Sequence, residues 1–205
     1  MLERLRAAGI EDPRVLEAMA AVPRHVLVSE ALHHRAYGDR ALPIGEGQTI
    51  SAPDTVARMS QALELRGDEG VLEIGTGSGY QAAVLSRLAA RVVSIERVPA
   101  LANRARSALD RLGVHNVVVH LGDGTRGWPR GAPWHAIVVT AGGPEVPAPL
   151  CEQLAPGGRL VGPFGPRGAQ VLLRVRKDAR GRLTREPLVA CRFVDLIGEH
   201  GWAAG

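Results

Sequence analysis

Residues 71–80 read Val-Leu-Glu-Ile-Gly-Thr-Gly-Ser-Gly-Tyr. A short run, apolar except for Glu73, leads into glycines at alternate positions, and a helix-compatible segment follows over residues 81–89. Strand, tight turn and helix in that order open a nucleotide-binding α/β unit. The spacing is Gly75-x-Gly77-x-Gly79, not the G-x-G-x-x-G of dinucleotide-binding folds. Glu73 stands inside the strand end, where a carboxylate would repel a pyrophosphate docked on the helix N-terminus. The loop therefore predicts a nucleoside ligand without phosphates and with positive charge. S-Adenosylmethionine, which carries a sulfonium and an ammonium group, has that chemistry.

Working outward, the pattern of residues 71–89 recurs. Apolar, β-branched runs at 71–74, 92–95, 117–120 and 136–140 read as buried parallel strands. Helical segments lie between them at 81–89 and 99–112. A short helix at 148–154 and a turn at Pro156-Gly157-Gly158 lead to a fifth strand at 159–164. Strand-like runs at 171–175, 183–188 and 190–197 then follow with short turns, which implies an antiparallel edge. The expected fold class is α/β: a doubly wound, mainly parallel, Rossmann-like sheet with antiparallel C-terminal edge strands and an N-terminal helical extension. Residues 1–205 read as one domain. Within it, 1–65 form the helical N-terminal part and active-site segment, 70–164 the cofactor-binding core, and 165–205 the antiparallel edge.

Upstream, Asp12 reads as an N-cap with Pro13 at the first helical position, and Pro23 stops that helix. Ser29 reads as the cap of a second short helix through His33 and His34. Those two histidines point to different helix faces, and with His25 they lack a third ligand, so no metal is expected. Residues 36–51, Ala-Tyr-Gly-Asp-Arg-Ala-Leu-Pro-Ile-Gly-Glu-Gly-Gln-Thr-Ile-Ser, form a long irregular segment of the kind that serves as a functional loop or lid. From local chemistry alone, Ser51 reads as a helix N-cap with Asp54 completing a variant capping box.

Composition narrows the function classes. The 205 residues are 45% hydrophobic, and the mean hydropathy is near zero, values of a soluble globular chain. No apolar stretch reaches membrane-spanning length, and residues 1–9 lack the apolar block of a signal peptide. Cys151 and Cys191 have no metal or redox spacing and read as thiols of a reducing cytoplasm. The formal charge of +4 is almost all arginine, Lys177 being the only lysine. The arginines are dispersed and aromatics amount to 3%, which argues against nucleic acid as a partner.

Three acids, Glu73, Glu96 and Asp123, end the first three strands. Glu96 lies at the spacing where an acid accepts hydrogen bonds from ribose hydroxyls. Asp123, between two glycines, is placed to approach an adenine amine, although Asp-Gly pairs also serve plain turns. There is no nucleophile elbow, metal-ligand set, P-loop lysine or Asn-Pro-Pro-Tyr loop. That absence suits methyl transfer to a carboxylate, which is already ionised at neutral pH and requires no general base. Alignment and exclusion of water would then suffice.

The blocks R-A-Y-G-D-R-A-L-P-I-G-E-G-Q-T-I-S-A-P, V-L-E-I-G-T-G-S-G-Y-Q-A-A-V-L, G-D-G, V-T-A-G-G-P-E-V-P and C-R-F-V-D-L-I-G-E-H-G-W together resemble protein-L-isoaspartate O-methyltransferases, in that family's order and over most of the chain. The resemblance implies a cytoplasmic repair enzyme, acting as a monomer on isoaspartyl proteins and peptides. It would move a methyl group from S-adenosylmethionine to the isoaspartyl α-carboxylate, leaving S-adenosylhomocysteine and using no metal, membrane or nucleic acid. By the same resemblance Ser51 is the catalytic residue, capping its helix and serving the site as well. Thr49, Ile50, Glu73, Gly75, Thr76, Gly77, Glu96, Arg97, Asp123, Gly124 and Thr140 would hold the donor. Ile44, Gly45, Gln48, Ala141, Val146, Arg192 and Phe193 would contact or frame the substrate. The chain departs from the family pattern at Asp195, where proline is frequent, and at Gly142-Gly143. It departs also at Val56, where some members carry a histidine.

Overall fold

The computed structural model describes residues 1–203. Helices α1 (Leu2–Ala7) and α2 (Pro13–Ala21) come first, and Asp12 caps α2 by accepting from the Arg14 N–H at 2.9 Å. A hairpin of β1 (Leu42–Gly45) and β2 (Gln48–Ile50) precedes α3 (Pro53–Ala62). The sheet elements then alternate with helices: β3 (Gly70–Ile74), α4 (Tyr80–Leu85), β4 (Arg91–Glu96), α5 (Pro99–Arg111), β5 (Val117–Leu121) and β6 (Trp134–Val139). Last come α6 (Ala148–Glu152), β7 (Leu154–Phe164), β8 (Gln170–Lys177) and β9 (Leu183–Cys191).

The seven long strands form one sheet in the order β5-β4-β3-β6-β7-β8-β9. The pairs from β5 to β7 are parallel, and β7-β8-β9 is an antiparallel meander. The expected class is present: a mainly parallel sheet with an antiparallel C-terminal edge. The side-chain period of two divides the core between the faces. Val71, Ala136 and Val138 join the helices α1 to α5 on one side. Leu72, Ile74, Ile137 and Val139 join Leu150 and Trp134 on the other. Each fully buried Val, Leu or Ile contributes about 1.5–3 kcal/mol, which explains why β3 and β6 at the centre of the sheet are almost wholly apolar.

The chain leaves β3 toward β4 on one side of the sheet and returns from β5 to β6 on the other. The return crossover carries only two 3-10 turns, Gly124–Arg126 and Pro129–Gly131. The loops after β3 and β6 therefore diverge between neighbouring strands. This is the switch point where open α/β sheets receive ligands.

Four local expectations are corrected. The run 190–197 is not a strand of its own: Ala190 and Cys191 end β9, and beyond them Asp195 makes only an isolated bridge to Gly142. Ser29 gives no side-chain cap to the 3-10 turn Glu30–Arg35. The cap residue of α3 is Ala52, not Ser51, because Pro53 already supplies the helical φ and has no N–H to satisfy. Asp54 pairs with Arg58 one turn on, at 2.8 Å, in place of a capping box.

Candidate active site

A cavity opens at the switch point. Its wall takes Gln48, Thr49, Ile50 and Ser51 from the β2–α3 connection, and Gly75, Thr76, Gly77 and Ser78 from the loop after β3. Glu96, Arg97 and Val98 follow from the end of β4, with Gly124, Thr140 and Ala141 from the loops after β5 and β6. Twelve of the expected residues thus meet there: Gln48, Thr49, Ile50, Ser51, Gly75, Thr76, Gly77, Glu96, Arg97, Gly124, Thr140 and Ala141.

The floor is fixed by backbone. The Gly75 N–H donates to the Ile95 carbonyl at 2.8 Å, and the Thr140 hydroxyl donates to the Ile74 carbonyl at 2.9 Å. Gly75 has φ +94°, and a Cβ there would lie 2.5 Å from Thr140 Oγ1. Only glycine satisfies both limits. Glu96 is 5% exposed. Its Oε2 accepts from the Gly77 N–H and its Oε1 from the Val98 N–H, both at 2.9 Å. Each carboxylate oxygen keeps a free lone pair toward the cavity, an acceptor pair that suits two vicinal hydroxyls. At Gly124, a Cβ would meet Ile74 Cγ2 at 2.4 Å, so only glycine packs against that side chain.

Glu73 lies elsewhere. It is fully buried behind the loop and does not line the cavity. Ser94 Oγ donates to its Oε2, and Ser94 also bonds the Thr76 hydroxyl. Burial pushes the Glu73 carboxyl up to about 8, the nearby Glu96 charge adds to this, and the Ser94 hydroxyl opposes it. At neutral pH Glu73 therefore sits protonated under the loop, and Glu96 presents the acid face. The expectation that Glu73 meets the ligand directly is corrected accordingly.

Asp123 is likewise engaged with protein. Its Oδ1 accepts from the Thr125 N–H and hydroxyl, and its Oδ2 from the Glu199 N–H at 2.8 Å. Burial would raise its carboxyl, but the Glu199 and Thr125 donors outweigh burial and hold it below the ordinary value. Its Oδ1 takes two donors and its Oδ2 one, and of the pair only its neighbour Gly124 reaches the cavity wall.

The acceptor side has a different cast from that expected. Arg192 is exposed, with Nε 3.4 Å from the Gly168 carbonyl, and the Phe193 N–H donates to Gln170 Oε1. Neither lines the cavity; Val194, Asp195, Leu196 and Ile197 do. These four are held over the β6 loop because Gly142 donates to the Val194 carbonyl and accepts from the Leu196 N–H. Trp202 Nε1 donates to the same Gly142 carbonyl at 2.9 Å. Asp195 pairs with Arg167 at 2.8 Å, and the Arg167 guanidinium lies 4.4 Å from the Trp202 ring centroid. Val146 belongs to the buried core below. Ile44 and Gly45 stand one layer out: Ile44 packs by its Cδ1 against Gly77, and its carbonyl accepts from Arg104 on α5. The hydroxyl of Ser51 makes no hydrogen bond among the described residues, so it is free to serve a ligand. Val56, Ile74, Tyr80, Gln81 and Ile95 complete the wall, and the sequence reading assigns none of them to the site.

The chain matches the family model described as Protein-L-isoaspartate(D-aspartate) O-methyltransferase over residues 1–201. It is 55% identical over 202 residues to a protein-L-isoaspartate O-methyltransferase of Syntrophus aciditrophicus, covering 98% of this chain and 93% of that protein. A solved protein-L-isoaspartate O-methyltransferase superposes with a TM-score of 0.87 at 31% identity, over 98% of this chain and 67% of that one. A Plasmodium falciparum beta-aspartate methyltransferase, solved in complex with S-adenosyl-L-homocysteine, superposes with a TM-score of 0.81 at 26% identity, over 96% of both chains.

Proposed function

The chain belongs to the protein-L-isoaspartate(D-aspartate) O-methyltransferase family, and from that premise we propose how its own residues divide the work. It is an S-adenosylmethionine-dependent protein repair methyltransferase. The donor supplies an electrophilic methyl group on a sulfonium; the acceptor is the α-carboxylate of an L-isoaspartyl residue. The methyl ester then loses methanol as the following backbone nitrogen closes a succinimide, and water reopens that ring in part to aspartate.

In our reading Glu96 anchors the ribose hydroxyls, while Gly75, Thr76 and Gly77 line the donor's path. Gly124 and Val98 offer flat surface to the base. Arg97, Thr49, Ile50 and Thr140 close the remaining wall. Ser51 is the catalytic residue: its unpaired hydroxyl donates to one oxygen of the incoming carboxylate and aligns the other with the methyl. Gln48, Ala141 and the segment Val194–Ile197 frame the peptide and exclude water. The observation that carries this reading is the shared cavity. One enclosure holds the free Ser51 hydroxyl, the pinned Glu96 carboxylate and the glycine floor.

Residues 1–205 form one methyltransferase domain, supported by the family match over 1–201. The expectation of a monomer stands as part of this proposal. The reading without nucleic acid is supported by the pairing of Arg174 and Arg176 with Glu64, with Arg159 3.9 Å from the same carboxylate. No helix of the described residues is long and apolar enough to cross a membrane. A cytoplasmic location accords with the unbridged Cys151 and Cys191.

The test pairs two peptides that differ only in L-isoaspartate against L-aspartate, with labelled methyl donor. Label must enter the first and not the second. Equal incorporation in both, or none in either, overturns the assignment.

A further inference from the structure

Gln81 opens the first turn of α4 in the company of Tyr80, Ala82, Ala83, Val84 and Leu85, all buried. A glutamine in such surroundings costs free energy unless both ends of its amide are hydrogen-bonded. One end is satisfied: Nε2 donates to Ser60 Oγ on α3 at 2.9 Å. The other is not. Oε1 has no partner among the described residues, and the residue is only 6% exposed. Its side chain stands on the cavity wall, which it shares with Ser51 and Val56. Val56 offers only methyl groups to that wall.

We propose that Gln81 Oε1 is the acceptor that receives the ammonium group at the amino-acid end of the methyl donor. An amide oxygen accepts and does not donate, so the missing partner is an N–H or O–H donor. The donor's ribose hydroxyls are already matched by Glu96 at the end of β4. An ammonium brings three N–H donors and makes a charge-assisted bond with a neutral oxygen. Ser60, 1% exposed, acts as a positioning residue, because its bond to Nε2 fixes which end of the amide is left without a partner. Together Gln81 and Glu96 would fix the donor at its two ends and so set the line of the methyl group toward Ser51. The inference rests on the cavity holding S-adenosylmethionine.

Titration calorimetry with two ligands tests it without turnover. S-Adenosylhomocysteine carries the amino-acid end; 5′-methylthioadenosine has the same nucleoside and thioether without it. In Gln81→Met the dissociation constant for S-adenosylhomocysteine should rise about 10-fold while that for 5′-methylthioadenosine changes less than about two-fold. Gln81→Glu keeps an acceptor in place and should hold S-adenosylhomocysteine within about three-fold of the parent. Equal losses for both ligands would assign Gln81 to packing alone and overturn the proposal. No loss for either ligand, or a Glu variant as weak as the Met variant, would overturn it too. Failure of the unaltered protein to bind S-adenosylhomocysteine would instead remove the donor assignment on which the proposal stands.

Discussion

The two halves of the cavity are held by different kinds of bond. Around Gly75 the wall is sheet and loop backbone: Gly75 to Ile95, Thr140 to Ile74 and Gly122 to Glu96, each at 2.8–2.9 Å. Around the acceptor entrance the wall is a hairpin and a C-terminal segment; beyond the two backbone bonds of Gly142, both are tied on by side chains. Arg104 reaches the Ile44 carbonyl at 3.1 Å and lies 3.7 Å from Glu46, which itself sits in the left-handed region at φ +53°. Asp123, Arg167 and Trp202 hold the segment around Val194–Ile197. A donor of fixed shape meets rigid backbone, whereas an acceptor that varies from one damaged protein to the next meets walls set by latches. Backbone walls depend on few side chains; latched walls can be altered one residue at a time.

Four experiments press on that division. The largest effect belongs to Ser51→Ala, which should lower kcat about 100-fold, the scale of losing one aligned hydrogen-bond donor at the reacting group. Its affinity for S-adenosylhomocysteine should stay within about two-fold. A comparable fall in donor affinity would show that the halves are not separable.

Gly75→Ala comes next. It forces a side chain into φ +94° and against Thr140 Oγ1, and strain of about 2 kcal/mol predicts about 30-fold weaker donor binding. Calorimetry should show this, and peptide KM at saturating donor should change little. A variant that binds normally would mean that the floor yields more readily than its bonds suggest.

Asp123→Ala removes the acceptor of the Glu199 N–H and loosens the C-terminal segment. Peptide KM should rise about 10-fold, the cost of one charged buried bond, with a smaller change in donor affinity. The reverse pattern would return Asp123 to the donor side.

The smallest effect on turnover is expected from Glu73→Gln, which instead bears on stability. The Glu73 carboxyl is raised from 4.5 to about 8, so the fold favours its protonated form. Its contribution is fully present below 4.5 and is lost as pH rises through about 8. Melting curves from about pH 5 to about pH 9 should show the parent losing stability with rising pH and the Gln variant losing less. Parallel curves would mean that Glu73 is not buried as a neutral acid.

The sheet was readable in the sequence because strands such as 71–74 and 136–139 are buried on both faces, and such strands announce themselves as apolar β-branched runs. The donor loop was readable from its glycines, because backbone contact demands them. The run 190–197 was misread as a strand: Val194, Leu196 and Ile197 are apolar because they line a cavity and cover a loop, not because they join a ladder. Glu73 and Asp123 stand at strand ends, as the pattern says, yet their side chains turn inward to Ser94 and Glu199, and no local signal carries that direction. Ser51 was readable only by resemblance, since Ser before Ala-Pro-Asp looks the same whether it caps a helix or faces a substrate. Gln81 did leave a trace: it is the one polar residue in Tyr-Gln-Ala-Ala-Val-Leu, and a polar group in a buried run requires a partner.

The joint at Gly142 has a consequence for the order in which the molecule matures. Trp202 closes on Gly142 across 60 residues of chain, and Glu199 closes on Asp123 across 76. Both contacts need the sheet in place first, because Gly142 and Asp123 are positioned by the strands they follow, β6 and β5. The peptide's wall is therefore built upon the donor's seat and cannot close without it.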